Sequence, residues 1–134
     1  MGTEPKVSDL IGRTLTSCVQ ESDDCIQFVC SDGTEARLWH NQDCCETVTI
    51  ESITGDLQDL VGNPILVAEE SSSNENPPGV TMEYQDSFTW TFYKFATIKG
   101  HVDIRWYGES NGYYSERVDF SMTEKPQEEH VPTD

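Results

Sequence analysis

Residues 8–15 read SDLIGRTL and residues 58–65 read QDLVGNPI. Each carries Asp-Leu, an apolar residue and a glycine, and each runs into a strand-like segment. In physical terms this is a short amphipathic helix whose glycine takes the left-handed conformation and turns the chain into a sheet. Two readings stand at this level. The match is a coincidence over eight residues, or it marks two related halves, each a helix followed by a meander.

Working outward, residues 7–11 read as a short helix capped at Ser8, with Gly12 just past its end. Residues 56–61 read as a second one, with Asp56 near its start and Gly62 after it. Strand signals fill most of the rest. Residues 13–21 alternate, and 25–30 (CIQFVC) place Ile26 and Phe28 on one face. Asp32-Gly33 then turns the chain into a third strand over 34–40. Residues 47–53 (TVTIESI) are rich in β-branched side chains, and 65–69 form a further strand. Residues 88–98 (FTWTFYKFATI) carry apolar groups on both faces, which predicts a doubly covered strand. Residues 101–107 alternate as well. A hairpin at 108–112 (GESNG) leads to a last strand over 113–122, with Tyr114, Val118 and Phe120 on one face. The segment 70–78 (ESSSNENPP) reads as a mobile surface loop. The expectation is an α+β fold, mostly antiparallel β, with about seven or eight short strands and two short helices. One domain spans 1–122, and a disordered acidic tail spans 123–134.

The 134 residues carry 25 carboxylates against eight Lys and Arg, a formal charge of −17. No Lys or Arg occurs between Arg37 and Lys94. Such a field repels phosphates and anionic lipid and attracts basic surfaces. Direct nucleic-acid binding and membrane binding are therefore disfavoured, although acidity also serves solubility alone. No apolar run approaches the roughly 20 residues of a membrane span, and no secretory signal is visible. These features predict a cytoplasmic protein whose five cysteines are reduced.

Chemistry-bearing side chains concentrate in residues 39–46, WHNQDCCE. His40 can bind metal or move a proton, a thiol at Cys44 or Cys45 can become a nucleophile, and Asp43 could orient the imidazole. The spacing matches no established metal or catalytic pattern. The readings weighed are a structural corner, a ligand or partner site, a metal site and a redox-active thiol. A second candidate is the aromatic hairpin at 106–114, where Trp106, Asn111, Tyr113 and Tyr114 form a contact surface, or else Trp106 and Tyr114 belong to the core and only Tyr107 and Tyr113 are exposed. The binding candidates are thus His40, Gln42, Asp43, Cys44, Cys45, Glu46, Trp106, Asn111, Tyr113 and Tyr114. Zinc is the metal considered, with His40, Cys44 and Cys45 as candidate ligands and Cys18, Cys25 or Cys30 to supply those missing, and no other cofactor is expected. No catalytic residue is assigned.

The motifs H-x-Q-D-C-C-E-x-V, G-D-L-x-D-L-x-G, T-W-T-F-Y and S-N-G-Y-Y-S-E resemble those of a small uncharacterised domain family found in bacteriophages and bacterial genomes. The resemblance covers roughly residues 8–121. It places the candidates above, together with Trp90, on signature positions, and it implies phage context without a mechanism. The resulting expectation is a small acidic phage-type protein that binds a host protein, with DNA mimicry as one mode of inhibition. The alternatives are a small-molecule- or metal-binding domain around His40–Glu46, a thiol enzyme using Cys44 or Cys45, and a virion-associated structural component.

Overall fold

The computed structural model describes residues 5–42, 45–79, 87–112 and 115–123. Its strands are β1 (Leu15–Ser22), β2 (Cys25–Cys30), β3 (Glu35–Trp39), β4 (Thr47–Thr54), β5 (Val67–Ser73), β6 (Ser87–Thr97), β7 (Gly100–Ser110) and β8 (Asp119–Thr123). They form two four-stranded antiparallel sheets, ordered β1-β2-β3-β8 and β4-β7-β6-β5. Among the described residues no helix is long and apolar enough to cross a membrane.

The two expected helices are absent. Each is a single 3-10 turn, Val7–Leu10 and Leu57–Leu60. Four residues cannot repay the cost of nucleating an α-helix, and Gly12 and Gly62, at φ +89° and +95°, turn the chain away at once. Ser8 is not the first cap: Lys6 takes that place, and its amide donates to Asp9 Oδ2 at 3.0 Å. Asp56 does cap the second turn, accepting from the Gln58 amide at 2.9 Å. Residues 70–73, expected to open a mobile loop, instead extend β5, which pairs with β6 as far as Ser73. Backbone pairing there outweighs the weak strand preference of glutamate and serine.

The sheets pack face to face. Leu15, Ile26, Phe28 and Leu38 meet Phe95, Val102, Ile104 and Trp106, all at most 1% exposed. The Phe28 and Phe95 rings lie 5.5 Å apart. Leu10 and Leu60 from the two turns are fully buried with them. β6 is covered on both faces only around Trp90; farther along its outer face Phe92 is half-buried and Lys94 exposed. Trp90 points away from this core yet is also fully buried. It lies against Tyr107 at 4.6 Å and donates from Nε1 to Asn76 Oδ1 at 3.0 Å.

The topology accounts for the sequence echo. The meander β1-β2-β3 is completed by β8, and the meander β5-β6-β7 is completed by β4. Each half therefore lends its fourth strand to the other half's sheet. The echoed segments touch one another. The Gly12 amide donates to the Ile65 carbonyl at 2.8 Å, and the Gly62 amide donates to the Leu15 carbonyl at 2.9 Å. In the aligned motifs Gly12 matches Gly62 and Leu15 matches Ile65, so the two hydrogen bonds are reciprocal. Thr14 and Pro64 bridge between them.

A Cβ at Gly12 or Gly62 would meet nothing within 4 Å. Alanine there pays only for the left-handed backbone. Gly12→Ala and Gly62→Ala are each expected to cost about 1–2 kcal/mol, read by urea denaturation. Neutral alanine variants would remove the conformational requirement.

Candidate functional site

The chain leaves β3 at Trp39 and crosses to the other sheet to begin β4 at Thr47. It leaves β7 at Ser110 and crosses back to begin β8 at Asp119. These two crossovers contain the two sequence motifs. They are adjacent because the register is reciprocal: Thr47 pairs with Glu109 beside the end of β7, and Asp119 pairs with Trp39 at the end of β3. The hairpin expected at 108–112 is thus a crossover. β7 runs on through Gly108 to Ser110, and its continuation leaves the sheet.

Each crossover is tied by a glutamate six residues beyond the group it binds. His40 Nε2 and Glu46 Oε2 lie 2.7 Å apart, with side chains 2% and 0% exposed. His40 Nδ1 faces the Arg117 carbonyl at 2.8 Å. A carbonyl only accepts, so Nδ1 carries a proton, and one further proton lies between Nε2 and the carboxyl. Gln42 Nε2 donates to the Glu46 carbonyl at 2.5 Å, and the Asn41 amide donates to Asp119 Oδ2 at 3.4 Å.

In the second crossover, Ser110 Oγ donates to Glu116 Oε2 at 2.6 Å and Thr89 Oγ1 donates to Oε1 at 2.8 Å. Burial works to raise the Glu116 carboxyl, but hydrogen bonds from Ser110, Ser87 and Thr89 outweigh it and hold the group below the ordinary glutamate range. The crossover lies so close on Gly108 that a Cβ there would stand 2.7 Å from the Glu116 carbonyl oxygen.

The candidate residues divide accordingly. His40 and Glu46 meet as a buried pair, and Gln42 supports Glu46. Cys45 and Asn111 are exposed. Trp106 is 1% exposed and belongs to the core, so it presents no contact surface. Asp43, Cys44, Tyr113 and Tyr114 lie outside the described residues. Cys45 is disulfide-bonded, which corrects the expectation of five reduced thiols; Cys18, Cys25 and Cys30 are free. Burial pushes the Cys18 thiol up to about 12, the reverse of what a nucleophile needs.

The arrangement also counts against a zinc site here. Both ring nitrogens of His40 are engaged, and a disulfide sulfur is not a thiolate. Among the described residues no group of three or more His, Cys, Asp or Glu could hold a metal ion. Sequence reasoning missed Ser110, Thr89, Glu116 and the Arg117 carbonyl. The signal that could have found Glu116 is its position: like Glu46, it lies shortly before the strand that follows.

A family model described as Domain of unknown function (DUF7448) matches residues 8–120, and the chain belongs to that family. No curated protein and no solved structure matches the chain.

Glu46→Ala leaves His40 buried without its carboxylate. It is expected to cost about 3–5 kcal/mol in urea denaturation, with Glu46→Gln costing less. An alanine variant as stable as the native protein would show that the pair does not hold the crossover. The lowered Glu116 carboxyl contributes stability above its unfolded range and loses it as pH falls through its folded one. Glu116→Gln should therefore flatten the acid limb of a stability-versus-pH curve, and an unchanged acid limb would contradict this.

Proposed function

We propose that this protein acts by binding a basic protein surface, with no chemistry of its own. In this reading it is a phage-encoded cytoplasmic domain directed at a host protein that ordinarily binds nucleic acid. The observation that carries the reading is the charge: 25 carboxylates against eight bases. Three of the eight Lys and Arg lie against a carboxylate among the described residues. Arg13 lies 3.0 Å from Asp32, Arg37 lies 4.0 Å from Glu21 and Arg105 lies 2.8 Å from Glu51. Asp56, Glu69 and Glu75 from the interval without Lys or Arg are all exposed. Such a surface imitates the sign of a phosphate backbone and speeds encounter with a basic partner.

The crossover motifs favour binding over catalysis. A general base needs a ring nitrogen free to reach a substrate, and His40 spends both of its nitrogens inside the fold.

The test is capture from a nuclease-treated bacterial lysate, washed with rising salt and competed with duplex DNA. A nucleic-acid-binding protein should be retained, released as salt rises from about 0.1 to 0.5 M, and displaced by the DNA. A partner indifferent to both salt and DNA, or no retained protein, would overturn the reading.

A further inference from the structure

We propose that the outer face of the second sheet is a saccharide-binding groove, with Phe92 as its platform and Glu69, Lys94, Asp103 and Arg105 as its polar walls. This goes beyond the acidic-surface reading and stands independently of it.

The register builds the groove. One row across the four strands holds Ser71, Phe92, Arg105 and Ser52; the next holds Glu69, Lys94, Asp103 and Thr54. Alternation along each strand turns these rows away from the core, since their neighbours Tyr93, Phe95, Val102 and Ile104 are buried between the sheets. The rows line an open groove of about 650 Å³, within the range of roughly 300–1,000 Å³ typical of small-ligand sites.

Arg105 is fixed in place before any ligand arrives. Its Nε donates to Glu51 Oε1 at 2.8 Å, where an irregularity in β4 shifts the register around Glu51. Its guanidinium carbon lies 5.2 Å from the centre of the Trp90 ring, and Trp90 is itself held by Asn76 and Tyr107. A guanidinium has five N–H donors, and Glu51 engages Nε alone among the described residues. The side chains of Glu69, Lys94 and Asp103 have no hydrogen bond or ion pair among the described residues. The groove therefore offers unspent donors and acceptors side by side.

Charge selects the ligand class. In a chain of net charge −17, this face gathers Lys94 and Arg105 beside Glu69 and Asp103, with Glu70 also in the lining and Glu51 already on Arg105. A phosphate or carboxylate would meet these acids, and an ammonium would meet Lys94 and Arg105. A neutral ligand with many hydroxyls meets neither penalty, because each hydroxyl both donates and accepts. Phe92, half-buried in the middle of its row, gives the apolar C–H face of a sugar ring a surface to lie on. The groove crosses several strands and is open, which suits a linear oligosaccharide.

The experiment is an amide-resolved NMR titration of the full chain with cellohexaose, maltohexaose and chitohexaose, each to about 5 mM, the range that detects weak sites. Inorganic phosphate, a dinucleotide and an acidic peptide run beside them. At least one saccharide should shift the Phe92, Lys94, Asp103 and Arg105 amides saturably, and Phe92→Ala should weaken that binding about tenfold. Asp103→Asn, at a half-exposed position, supplies the same loss if the phenylalanine variant does not fold. The proposal is overturned if no saccharide shifts these amides, if binding survives both substitutions, or if only the phosphate, dinucleotide or peptide occupies the groove.

Discussion

Neither sheet of this protein can be completed by its own half of the chain. Three strands of each meander lie next to one another in sequence, but the fourth comes from the other half. The reciprocal hydrogen bonds of Gly12 to Ile65 and Gly62 to Leu15 fix where the halves cross. Both need a glycine amide presented from left-handed backbone, which explains why the echoed motifs keep glycine at the same place. From that exchange follow the two crossovers, and from them the positions of both motifs.

The crossovers explain why so many chemically capable residues are spent on structure. A chain that moves between sheets leaves the ladder and exposes polar backbone. Here that backbone is caught by side chains: His40 takes the Arg117 carbonyl, Gln42 takes the Glu46 carbonyl, and Asp119 takes the Asn41 amide. Glu46 and Glu116 each anchor their own crossover from within. A histidine beside a glutamate resembles a catalytic pair in sequence, but its burial and saturated hydrogen bonding make it a clasp. Charge on the outside and clasps on the inside thus divide the polar residues between two tasks.

Much of the sheet structure was legible in the sequence. Alternation placed the cores of β2, β4, β6 and β7, the Asp32-Gly33 turn placed β3, and the Asp56 cap was read from local chemistry. The apolar pattern of residues 88–98 announced a strand covered on both faces; this holds at Trp90 and Phe95 but not at Lys94, which is exposed on the outer face. What failed was non-local. The Val7–Leu10 turn looked like a helix because its residues are compatible with one, but the left-handed Gly12, paired with Ile65, ends it at once. The serines of β5 look like a loop until β6 lies beside them. The Ser110–Gly112 segment carries hairpin chemistry, yet β8 pairs with β3 in the other sheet, where Leu38 stands opposite Phe120. Of the site, the motif residues were visible, but the His40–Glu46 pair and the groove around Phe92 depend on register that no local pattern encodes.

The exchange of strands is tested most directly by dividing the chain at the exposed turn between Gly55 and Asp56 and following tryptophan fluorescence and circular dichroism. The account predicts that each fragment alone lacks a cooperative unfolding transition, because each sheet is missing its fourth strand, and that mixing the two restores the native signal. A fragment that unfolds cooperatively by itself would contradict it, since that half would then hold a complete sheet without borrowing from the other.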